Sequence, residues 1–372
     1  MLSRVPTLVI DTRKAFDAGI GTYICQVVPR VIAKLPTSVV ALIPARQIQQ
    51  FRWLAEAGAV LAPVRATPIS LAEQIELPHA MASGCCFWAT SLAHPLIGRV
   101  PVVATVHDVA QLALSRQELG GKPWLRPAAA TLLNSLRRRA RALLTVSDFT
   151  REEFLRCVGQ PRVAALTVTP LGVDQDWFAP RGTSGHVPYL MSLGSVRHHK
   201  NIERLLLAFA AVAPRIPHQL RVVGHLPKED GVHLRWLAIL PESVRSRILF
   251  EGFLDEDALR TCVANADALV FPSLYEGFGL PVLEAMAAGC PVVASRAGAL
   301  PEVCGEAAAA SFDPRDVSDM ARAMEATVKL DNASRQRIVE KGREHAARFT
   351  WDATAEKTAE VLNAVLSDLQ KR

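Results

Sequence analysis

Residues 271–289 read FPSLYEGFGLPVLEAMAAG, and this stretch decides the fold of the second half of the chain. The apolar residues Ala268–Phe271 predict a buried strand that ends where the stretch begins. A loop with Gly277 and Gly279 follows, and Pro281 then opens a helix, because proline is well accepted at a first helical position. A strand, a glycine loop and a helix in this order predict a βα unit of a parallel sheet.

Two glutamates flank the glycine loop. Glu276 lies in the loop and Glu284 near the first turn of the helix, so we expect both to reach the same cleft. Glycine lets backbone N–H groups approach a ligand closely, and a helix N-terminus favours phosphate or an oxygen that develops negative charge. A carboxylate accepts hydrogen bonds from the paired hydroxyls of a ribose or hexose. A tight turn with a helix-capping glutamate is the ordinary alternative, which two glutamates at this spacing disfavour.

The rest of the sequence alternates apolar β-branched runs with amphipathic segments. Predicted strands include Leu8–Asp11, Val102–Val106 and Tyr189–Leu193, and predicted helices include Thr22–Leu35 and Ile202–Ala213. Strands that are almost wholly Val, Ile and Leu, placed between helices, predict parallel sheets covered on both faces. Repeated βα units in two halves of similar size predict an α/β fold with two doubly wound, Rossmann-like domains.

A segment rich in Gly, Ser and Pro follows residue 170 and predicts a linker between the domains. We expect an N-terminal domain over residues 1–182 and a C-terminal domain over residues 187–351. The final helical stretch, residues 352–372, has no strand after it, and we expect it to pack back on the N-terminal domain. Two such domains leave a cleft at the carboxyl ends of their strands, where open α/β sheets bind ligands.

The stretch from Glu276 to Glu284 resembles the E-x7-E signature of the retaining glycosyltransferases of family 4. The resemblance continues through residues 287–295 and 300–303 and covers most of the chain. It implies the GT-B fold, in which two Rossmann-like domains face each other across a cleft. It also implies that Glu276 contacts the donor hexose near the reaction centre and that Glu284 holds the ribose hydroxyls. The loop backbone implied to touch the sugar hydroxyls is that of Phe278, Gly279 and Leu280.

A second strand-to-helix loop, residues 194–201, is strongly basic. Lys200 stands just before a predicted helix, where its charge can neutralise phosphate. The loop resembles the pyrophosphate-binding segment of the family, which implies that Gly194 and Lys200 lie at the donor diphosphate. Many members carry an arginine next to that glycine or that lysine, and this chain does not. We therefore expect Arg197 to supply the second cation.

The first half of the chain holds three further candidate residues. Gly19 and Gly21 follow the first predicted strand, but Ile24 replaces the third glycine of a dinucleotide-binding fingerprint. They resemble the glycine loop of the family, which faces the donor phosphates and the acceptor. His107 follows the strand Val102–Val106, and a lone histidine is commonly a structural hydrogen-bonding group. The resemblance implies that His107 hydrogen-bonds the donor sugar.

The acidic motifs Asp174–Asp176 and Asp255–Asp257 look like DxD metal-binding sequences. The first lies in the linker, and the second begins a helix, where an acid caps N-terminal amides. We therefore predict no catalytic metal and no cofactor, and the resemblance implies a nucleotide-diphosphate sugar as co-substrate. The seven cysteines form no CxxC pair and no metal-ligand spacing, so we expect reduced thiols in a cytosolic protein.

The net charge of +6 is concentrated in the first half of the chain. Residues 1–185 carry 20 Lys and Arg against 12 Asp and Glu, whereas residues 186–372 carry 22 against 24. The densest cluster is Arg137–Arg141. It is either a solvated helix face or the contact for an anionic partner, such as lipid headgroups or a phosphorylated substrate. Nucleic acid is disfavoured, because neither a recognised motif nor interleaved aromatic residues accompany the charge.

Composition excludes several classes of protein. With 50% apolar and 21% charged residues, the chain is globular rather than disordered. No stretch approaches the roughly 18 uncharged apolar residues that a transmembrane helix needs, and the apolar run at the N-terminus is too short for a signal peptide. We expect a cytoplasmic protein with peripheral contact at the inner face of the cytoplasmic membrane.

The resemblance implies a retaining hexosyltransferase, and the interpretation of the two acidic motifs makes it metal-independent. The variants around His107 and Lys200 resemble bacterial mannosyltransferases, which implies transfer of mannose from GDP-mannose to a lipid-linked saccharide of a surface polysaccharide. Transfer of glucose or another hexose from a UDP-sugar is the open alternative. A non-catalytic partner subunit that binds a sugar nucleotide is disfavoured by the intact Glu276, Glu284 and Lys200. An NAD-dependent oxidoreductase is disfavoured by the broken glycine fingerprint.

Overall fold

The computed structural model describes residues 7–119, 124–162, 165–179, 187–194, 197–225 and 231–371. Its strands form two sheets, and the strand pairs of both sheets are parallel. The predicted α/β class with two parallel sheets is therefore confirmed. Of the predicted linker at residues 170–186, the part from 180 to 186 lies outside the described residues. Within the described ranges, no helix combines the length and the apolar character that crossing a membrane requires.

The first sheet consists of β1 (Thr7–Asp11), β2 (Ser38–Pro44), β3 (Ala59–Val64), β4 (Cys86–Ala89), β5 (Val102–Val106), β6 (Ala140–Thr145) and β7 (Ala165–Val168). The second consists of β8 (Tyr189–Leu193), β9 (Gln219–Val223), β10 (Ile248–Gly252), β11 (Ala268–Phe271), β12 (Val292–Ser295) and β13 (Ala310–Phe312). Their spatial orders are β3-β2-β1-β4-β5-β6-β7 and β10-β9-β8-β11-β12-β13. The order reverses between β1 and β4 and between β8 and β11. Open α/β sheets bind ligands at such a reversal, beyond the carboxyl ends of the strands.

Helices of the first part of the described chain are α1 (Ala18–Ile32), α2 (Arg52–Glu56), α3 (Glu73–Ala80), α4 (Ala110–Ala113), α5 (Leu125–Arg139) and α6 (Asp148–Cys157). They are followed by α7 (Ile202–Val212), α8 (Val232–Ala238), α9 (Glu242–Arg245), α10 (Glu256–Ala264), α11 (Leu280–Ala288), α12 (Leu300–Cys304), α13 (Val317–Val328), α14 (Asn332–Ala346) and α15 (Trp351–Gln370). The helices bury apolar faces on the sheets. On the second sheet, for example, α7 and α13 pack together, and their residues Leu205, Phe209 and Met324 are buried in the core.

The strand β3 was not predicted, and its composition explains why. It reads AVLAPV, in which two alanines and Pro63 interrupt the run of β-branched residues. It pairs only with β2, at the edge of the first sheet. Proline cannot donate a hydrogen bond to a neighbouring strand, and an edge strand is where this loss is tolerated. Its fold therefore depends on pairing with β2 rather than on its own propensity.

The chain divides into two compact units. The first contains Met1–Ala113, Pro123–Gly172 and Thr350–Arg372, and the second contains Leu114–Lys122 and Val173–Phe349. The helix α15 thus belongs to the first unit, where it packs on α1 and β6. The short segment that begins at Leu114 belongs to the second unit, which the sequence pattern did not indicate.

Contacts with two earlier parts of the first unit fix the start of α15. The Thr354 hydroxyl donates a hydrogen bond to the Pro170 carbonyl at 2.6 Å, and Arg30 Nε lies 3.0 Å from Asp352 Oδ1. Gly172 lies directly against the first turn, because a Cβ atom there would come within 2.1 Å of the Trp351 nitrogen. The absence of a side chain at position 172 is what lets the two backbones approach each other.

We expect Gly172→Ala to destabilise the first unit. Its methyl group would overlap the backbone of Trp351, and such overpacking typically lowers the free energy of unfolding by about 1–3 kcal/mol. The matched control is Gly19→Ala, since a Cβ atom at position 19 meets nothing within 4 Å and alanine favours a helix. Calorimetric melting temperatures test this; a melting temperature for Gly172→Ala as high as that of the control would contradict the packing argument.

Candidate active site

The candidate residues of the second unit gather where its sheet reverses order. Strands β8 and β11 are neighbours and run parallel. The segments that leave their carboxyl ends, residues 194–201 and 272–279, therefore emerge at the same edge of the sheet. The described part of the first of these segments is Gly194 and residues 197–201.

Three hydrogen bonds connect these segments to each other and to a third loop. The Leu274 N–H donates to the His199 carbonyl at 2.7 Å. The side-chain amide of Asn201 donates to the Pro272 carbonyl at 3.0 Å and to the Pro314 carbonyl at 2.7 Å. Asn201 is buried and has φ of 60°, a left-handed conformation that asparagine adopts more readily than most residues. Its amide thereby fixes the start of α7 against the loop that carries Glu276.

Lys200 and Glu276 form an ion pair between the two loops. Lys200 Nζ lies 2.6 Å from Glu276 Oε1, and the side chains are only 19% and 15% exposed. The ammonium group also lies 5.5 Å from the centroid of the Phe271 ring, within the range where a ring face attracts a cation. Because both charges are largely withdrawn from water, each relies on the other for neutralisation. The structure thus brings together two of the residues that the sequence assigned to one donor.

The backbone of Glu276 is held by the loop after β12. The Ala299 N–H donates to the Glu276 carbonyl at 2.9 Å. Gly298 has φ of +61°, and a Cβ atom there would lie 2.5 Å from both the nitrogen and the carbonyl oxygen of Glu276. Any larger residue at position 298 would displace the backbone of Glu276. Gly298 therefore has a positioning role that the sequence motif did not reveal.

The glycine loop ends at Gly279, and α11 begins at the next residue. Gly279 has φ of +105°, a conformation that favours glycine, and a Cβ atom there would lie 2.5 Å from Leu300 Cδ2 and displace that side chain. The side chains of Phe278 and Leu280 are buried, and the Phe278 ring packs against Phe349 with centroids 6.1 Å apart. These side chains serve the core. The predicted contact with sugar hydroxyls would thus fall to backbone groups at the start of α11.

Glu284 lies inside α11 and is half-buried. Within the described residues, its carboxyl group makes no hydrogen bond. Burial raises the pKa of Glu284 to about 8; Glu256 and Asp174 add to the rise, and Arg260 opposes it. A carboxyl group with such a raised pKa and no bonding partner often marks a functional site. The carboxyl group is therefore available to accept hydrogen bonds from hydroxyl groups of a ligand.

Arg260 is a residue of this region that the sequence did not single out. It is buried, and its guanidinium lies 2.8 Å from Glu256, 3.3 Å from Asp176 and 3.7 Å from Asp257. Both DxD-like motifs therefore supply carboxylates to one arginine. Asp255 accepts a hydrogen bond from the Ala258 N–H at 2.8 Å, which confirms the predicted helix cap. Among the described residues, no group of three or more His, Cys, Asp or Glu is arranged to hold a metal ion.

Gly194 and Arg197 differ in their relation to Lys200. A Cβ atom at Gly194 would lie 3.5 Å from Lys200 Cδ, so this glycine lies beside the lysine stem. The Arg197 carbonyl accepts a hydrogen bond from the Lys200 N–H at 2.9 Å. The Arg197 side chain is exposed and lines a cavity of about 250 Å³ together with Arg204 and Arg315. A role for Arg197 as the second phosphate ligand stays a prediction.

In the first unit, His107 lies at the carboxyl end of β5, near the reversal between β1 and β4. The Thr90 hydroxyl donates to the Asp11 carbonyl at 2.6 Å, and His107 Nε2 lies 2.9 Å from the Thr90 carbonyl. Since a carbonyl can only accept, Nε2 carries the proton, and Nδ1 is left as a hydrogen-bond acceptor. Burial lowers the pKa of His107 to about 4, so the ring is neutral at pH 7. Its chemistry is that of an acceptor for a hydroxyl group.

Gly19 and Gly21 do not form the loop that was predicted before a helix at Thr22. The helix α1 begins at Ala18, and both glycines lie in its first turns. The Gly21 N–H donates to the Asp17 carbonyl at 2.5 Å, and a Cβ atom at position 21 would lie 2.5 Å from the Ala15 oxygen. Gly21 is thus required by the packing of its own helix start. A Cβ atom built at Gly19 would have no other atom within 4 Å, so the space beside this residue at the helix N-terminus is open.

Sequence reasoning also missed Arg13, which follows β1. Its side chain is 1% exposed and pairs with Asp11 at 2.7 Å and with Glu73. It also donates to the Ala66 carbonyl at 3.0 Å. This buried network joins the loop after β1 to the start of α3. No local signal marks it, because Glu73 lies 60 positions further along the chain.

Two family models match the chain. The model described as "Glycosyltransferase Family 4" matches residues 32–177, and the model described as "Glycosyl transferases group 1" matches residues 173–345. The second match contains the E-x7-E stretch and the basic loop. The first contains His107.

Curated relatives are similar over most of this chain. Identity is 31% to O-antigen chain mannosyltransferase B of Escherichia coli, over 69% of this chain and 68% of that protein. It is 31% to an MMP alpha-(1->4)-mannosyltransferase of Mycolicibacterium hassiacum, over 72% and 66%. It is also 31% to a glycogen synthase of Mycobacterium tuberculosis, over 73% and 66%. The chain thus spans about two thirds of the length of these relatives.

Solved structures show the same fold at lower identity. Sucrose-phosphate synthase of Thermosynechococcus elongatus matches with a TM-score of 0.76 and 19% identity, over 98% of this chain and 100% of that chain. At this identity, the likeness shows the fold alone. Together with the family models and the relatives at 31% identity, it shows that this chain belongs to glycosyltransferase family 4 and is a hexosyltransferase with the GT-B fold.

Proposed function

We propose that this hexosyltransferase moves mannose from GDP-mannose to a saccharide acceptor, without a catalytic metal and with retention of anomeric configuration. The observation that supports the location of the donor site is the Lys200–Glu276 pair at the edge where β8 and β11 meet. The second unit binds the sugar nucleotide, and the first unit binds the acceptor. In this proposal the acceptor is a lipid-linked saccharide of a surface polysaccharide.

The donor diphosphate would compete with Glu276 for Lys200. In the structure, the ammonium group is neutralised by the carboxylate at 2.6 Å. A diphosphate is a stronger anion than one carboxylate and draws the ammonium to itself, which frees Glu276 to accept hydrogen bonds from the hexose. Fixed positive groups act strongly on a leaving group because they need no reorganisation during the reaction. The ion pair therefore keeps both groups ready until the donor arrives.

Retention cannot use Glu284 as a covalent nucleophile if that residue binds the ribose. A retaining glycosidase needs two carboxylates about 5 Å apart, one of which attacks the sugar. The proposal instead uses attack on the face from which the diphosphate leaves, through a short-lived oxocarbenium ion pair. The leaving phosphate takes the proton of the acceptor hydroxyl, and Glu276 orients and stabilises the sugar. His107 offers Nδ1 to a sugar hydroxyl.

Mannose is supported by the relatives that are named as mannosyltransferases, one of O-antigen chains. A UDP-sugar donor is the second candidate, because a glycogen synthase is equally identical to this chain, at 31%. The O-antigen relative also supports a surface-polysaccharide acceptor. We further propose a cytoplasmic location with peripheral contact at the inner face of the membrane. The arginines of residues 137–141 would make this contact.

We expect Lys200→Ala and Glu276→Ala each to lower kcat by about 10²–10³-fold, the usual effect of losing one fixed electrostatic group. Turnover of GDP-mannose with a saccharide acceptor measures this. The matched control is Lys341→Ala, which breaks an exposed ion pair with Glu306 at 3.3 Å and removes the same charge. Near-wild-type turnover in both site variants would overturn the proposed mechanism.

Nucleotide binding should tighten as the pH rises from 6 to 8. We expect the ionised carboxylate of Glu284 to be the form that binds ribose, because it accepts hydrogen bonds from both hydroxyls and donates none. With a pKa of about 8, few Glu284 side chains are ionised at pH 6. The apparent Kd equals the intrinsic Kd divided by the competent fraction, so affinity should approach a roughly tenfold change per pH unit below 8. Calorimetric titration with GDP at several pH values measures it. In Glu284→Gln, only the smaller effect of phosphate ionisation should remain, and an identical slope in both proteins would reject the assignment.

A thermal-shift screen should separate the donors. A ligand that binds the folded state alone raises the melting temperature by mass action, and 100 Kd of free ligand stabilises by about 2.7 kcal/mol. We expect GDP-mannose to give a larger shift than UDP-glucose or UDP-GlcNAc, and NAD to give none. A larger shift with UDP-glucose would replace mannose by the second candidate. A shift with NAD alone would reject the sugar-nucleotide site itself.

A further inference from the structure

The first unit contains a cavity that the proposed sugar transfer does not use, although three of its arginines belong to the cluster proposed above to contact the membrane. Its volume is about 330 Å³, and five of its lining residues are arginines: Arg99, Arg138, Arg139, Arg141 and Arg162. The described residues that line it include no acidic side chain. Five arginines around one small, partly open space raise the positive electrostatic potential there, and a bound anion would lower it.

The cavity lies at the opposite edge of the sheet from His107. Its lining includes Val102, which is the first residue of β5. It also includes Arg139 and Arg141, which precede and follow Ala140, the first residue of β6. His107 follows the last residue of β5, at the carboxyl edge. Since β5 and β6 are parallel, the arginine cavity opens at their amino ends. It is therefore separate from the candidate residues of the first unit.

An irregularity in the sheet places Arg141 at this edge. Val102 pairs with Ala140, but the next residue, Val103, pairs with Ala142, so Arg141 is left out of the register. A bulge of this kind redirects a side chain and is common beside functional sites. The bulge gives Arg141 a position that regular pairing would not. It is a second, independent feature that points to the cavity.

The arginines differ in what they contact. Arg139 holds the rim, because its guanidinium donates to the carbonyls of Leu96 and, at 2.7 Å, of Gly98. Within the described residues, the guanidinium groups of the other four arginines, Arg99, Arg138, Arg141 and Arg162, make no hydrogen bond and no ion pair. Their five N–H donors each are thus available to a ligand.

Helix chemistry explains only part of this cluster. Arg138 and Arg139 lie in the last turn of α5, where basic residues offset the partial negative charge of a helix C-terminus. Arg99, Arg141 and Arg162 lie on other segments and have no such helix end to offset. They are the excess charge that an anion would neutralise. A phosphate or diphosphate suits them, because arginine forks bind its oxygens in pairs.

We propose that this cavity is a binding site for the phosphate group of an anionic ligand, distinct from the sugar-transfer site. The ligand is either a small phosphate compound in solution or the phosphate headgroup of a lipid. Both present the same chemistry to the arginines. The proposal does not depend on the identity of the transferred sugar.

Titration calorimetry with pyrophosphate at 150 mM salt tests the site in solution, at an ionic strength that screens diffuse attraction. All proteins carry Lys200→Ala, so that the proposed donor site does not contribute. We expect one pyrophosphate per chain, and at least about tenfold weaker binding in Arg138→Gln/Arg162→Gln. The matched control is Arg46→Gln/Arg52→Gln, two exposed arginines of the same unit that lie outside the cavity. It should bind as the parent does.

Sedimentation with phosphatidylglycerol vesicles, compared with phosphatidylcholine vesicles, tests the lipid source. Loss of vesicle binding in the cavity variant but not in the control assigns the phosphate to a lipid headgroup; the same pattern with pyrophosphate alone assigns it to a soluble ligand. Both results support the site. Equal losses in the two double variants, or no binding in either assay, would overturn it. Melting temperatures without ligand verify folding, and the cavity variant should melt no lower than the parent because it loses repulsion.

Discussion

The second unit is organised around the ion pair of Lys200 and Glu276. The pair exists because β8 and β11 are neighbours at the reversal of the sheet, so their two loops emerge side by side. Asn201 and Gly298 then fix the two backbones, one by buried hydrogen bonds and the other by leaving space. A lysine and a glutamate held in this way have no net charge as a pair. When a ligand separates them, each presents its own full charge. That property suits the proposed binding of a diphosphate and a sugar at the same time.

The two glutamates of the E-x7-E stretch occupy different electrostatic environments. Glu276 faces an ammonium group at 2.6 Å, whereas Glu284 has no hydrogen-bonding partner in the described chain and a pKa raised to about 8. Arg260 is engaged by three other carboxylates and so compensates Glu284 only in part. The same residue type can therefore serve two purposes in one loop and helix. One carboxylate balances a cation, and in the proposed function the other accepts hydrogen bonds from hydroxyl groups.

The first unit uses the two edges of its sheet differently. At the carboxyl edge lie the buried ion pairs of the Arg13 network and the neutral ring of His107. At the amino edge, the arginine cavity concentrates positive charge around the bulge at Arg141. The basic excess of the first half of the sequence thus has a specific location. In the proposed site, this charge binds the phosphate group of an anionic ligand.

The sequence by itself determined the parallel α/β class, the strand–loop–helix unit at Glu276 and the family, because these depend on residues within about one βα unit of each other. It did not reveal β3, whose Pro63 hides an edge strand, and it misread Gly19 and Gly21, which begin a helix instead of forming a loop. The tertiary structure alone decided that Lys200 meets Glu276 across 76 positions, that Gly298 supports that glutamate, and that Arg13, Arg260 and Arg141 have the partners and positions described. The physical reason is that strand order and register bring distant residues together, and no local pattern of residues encodes them.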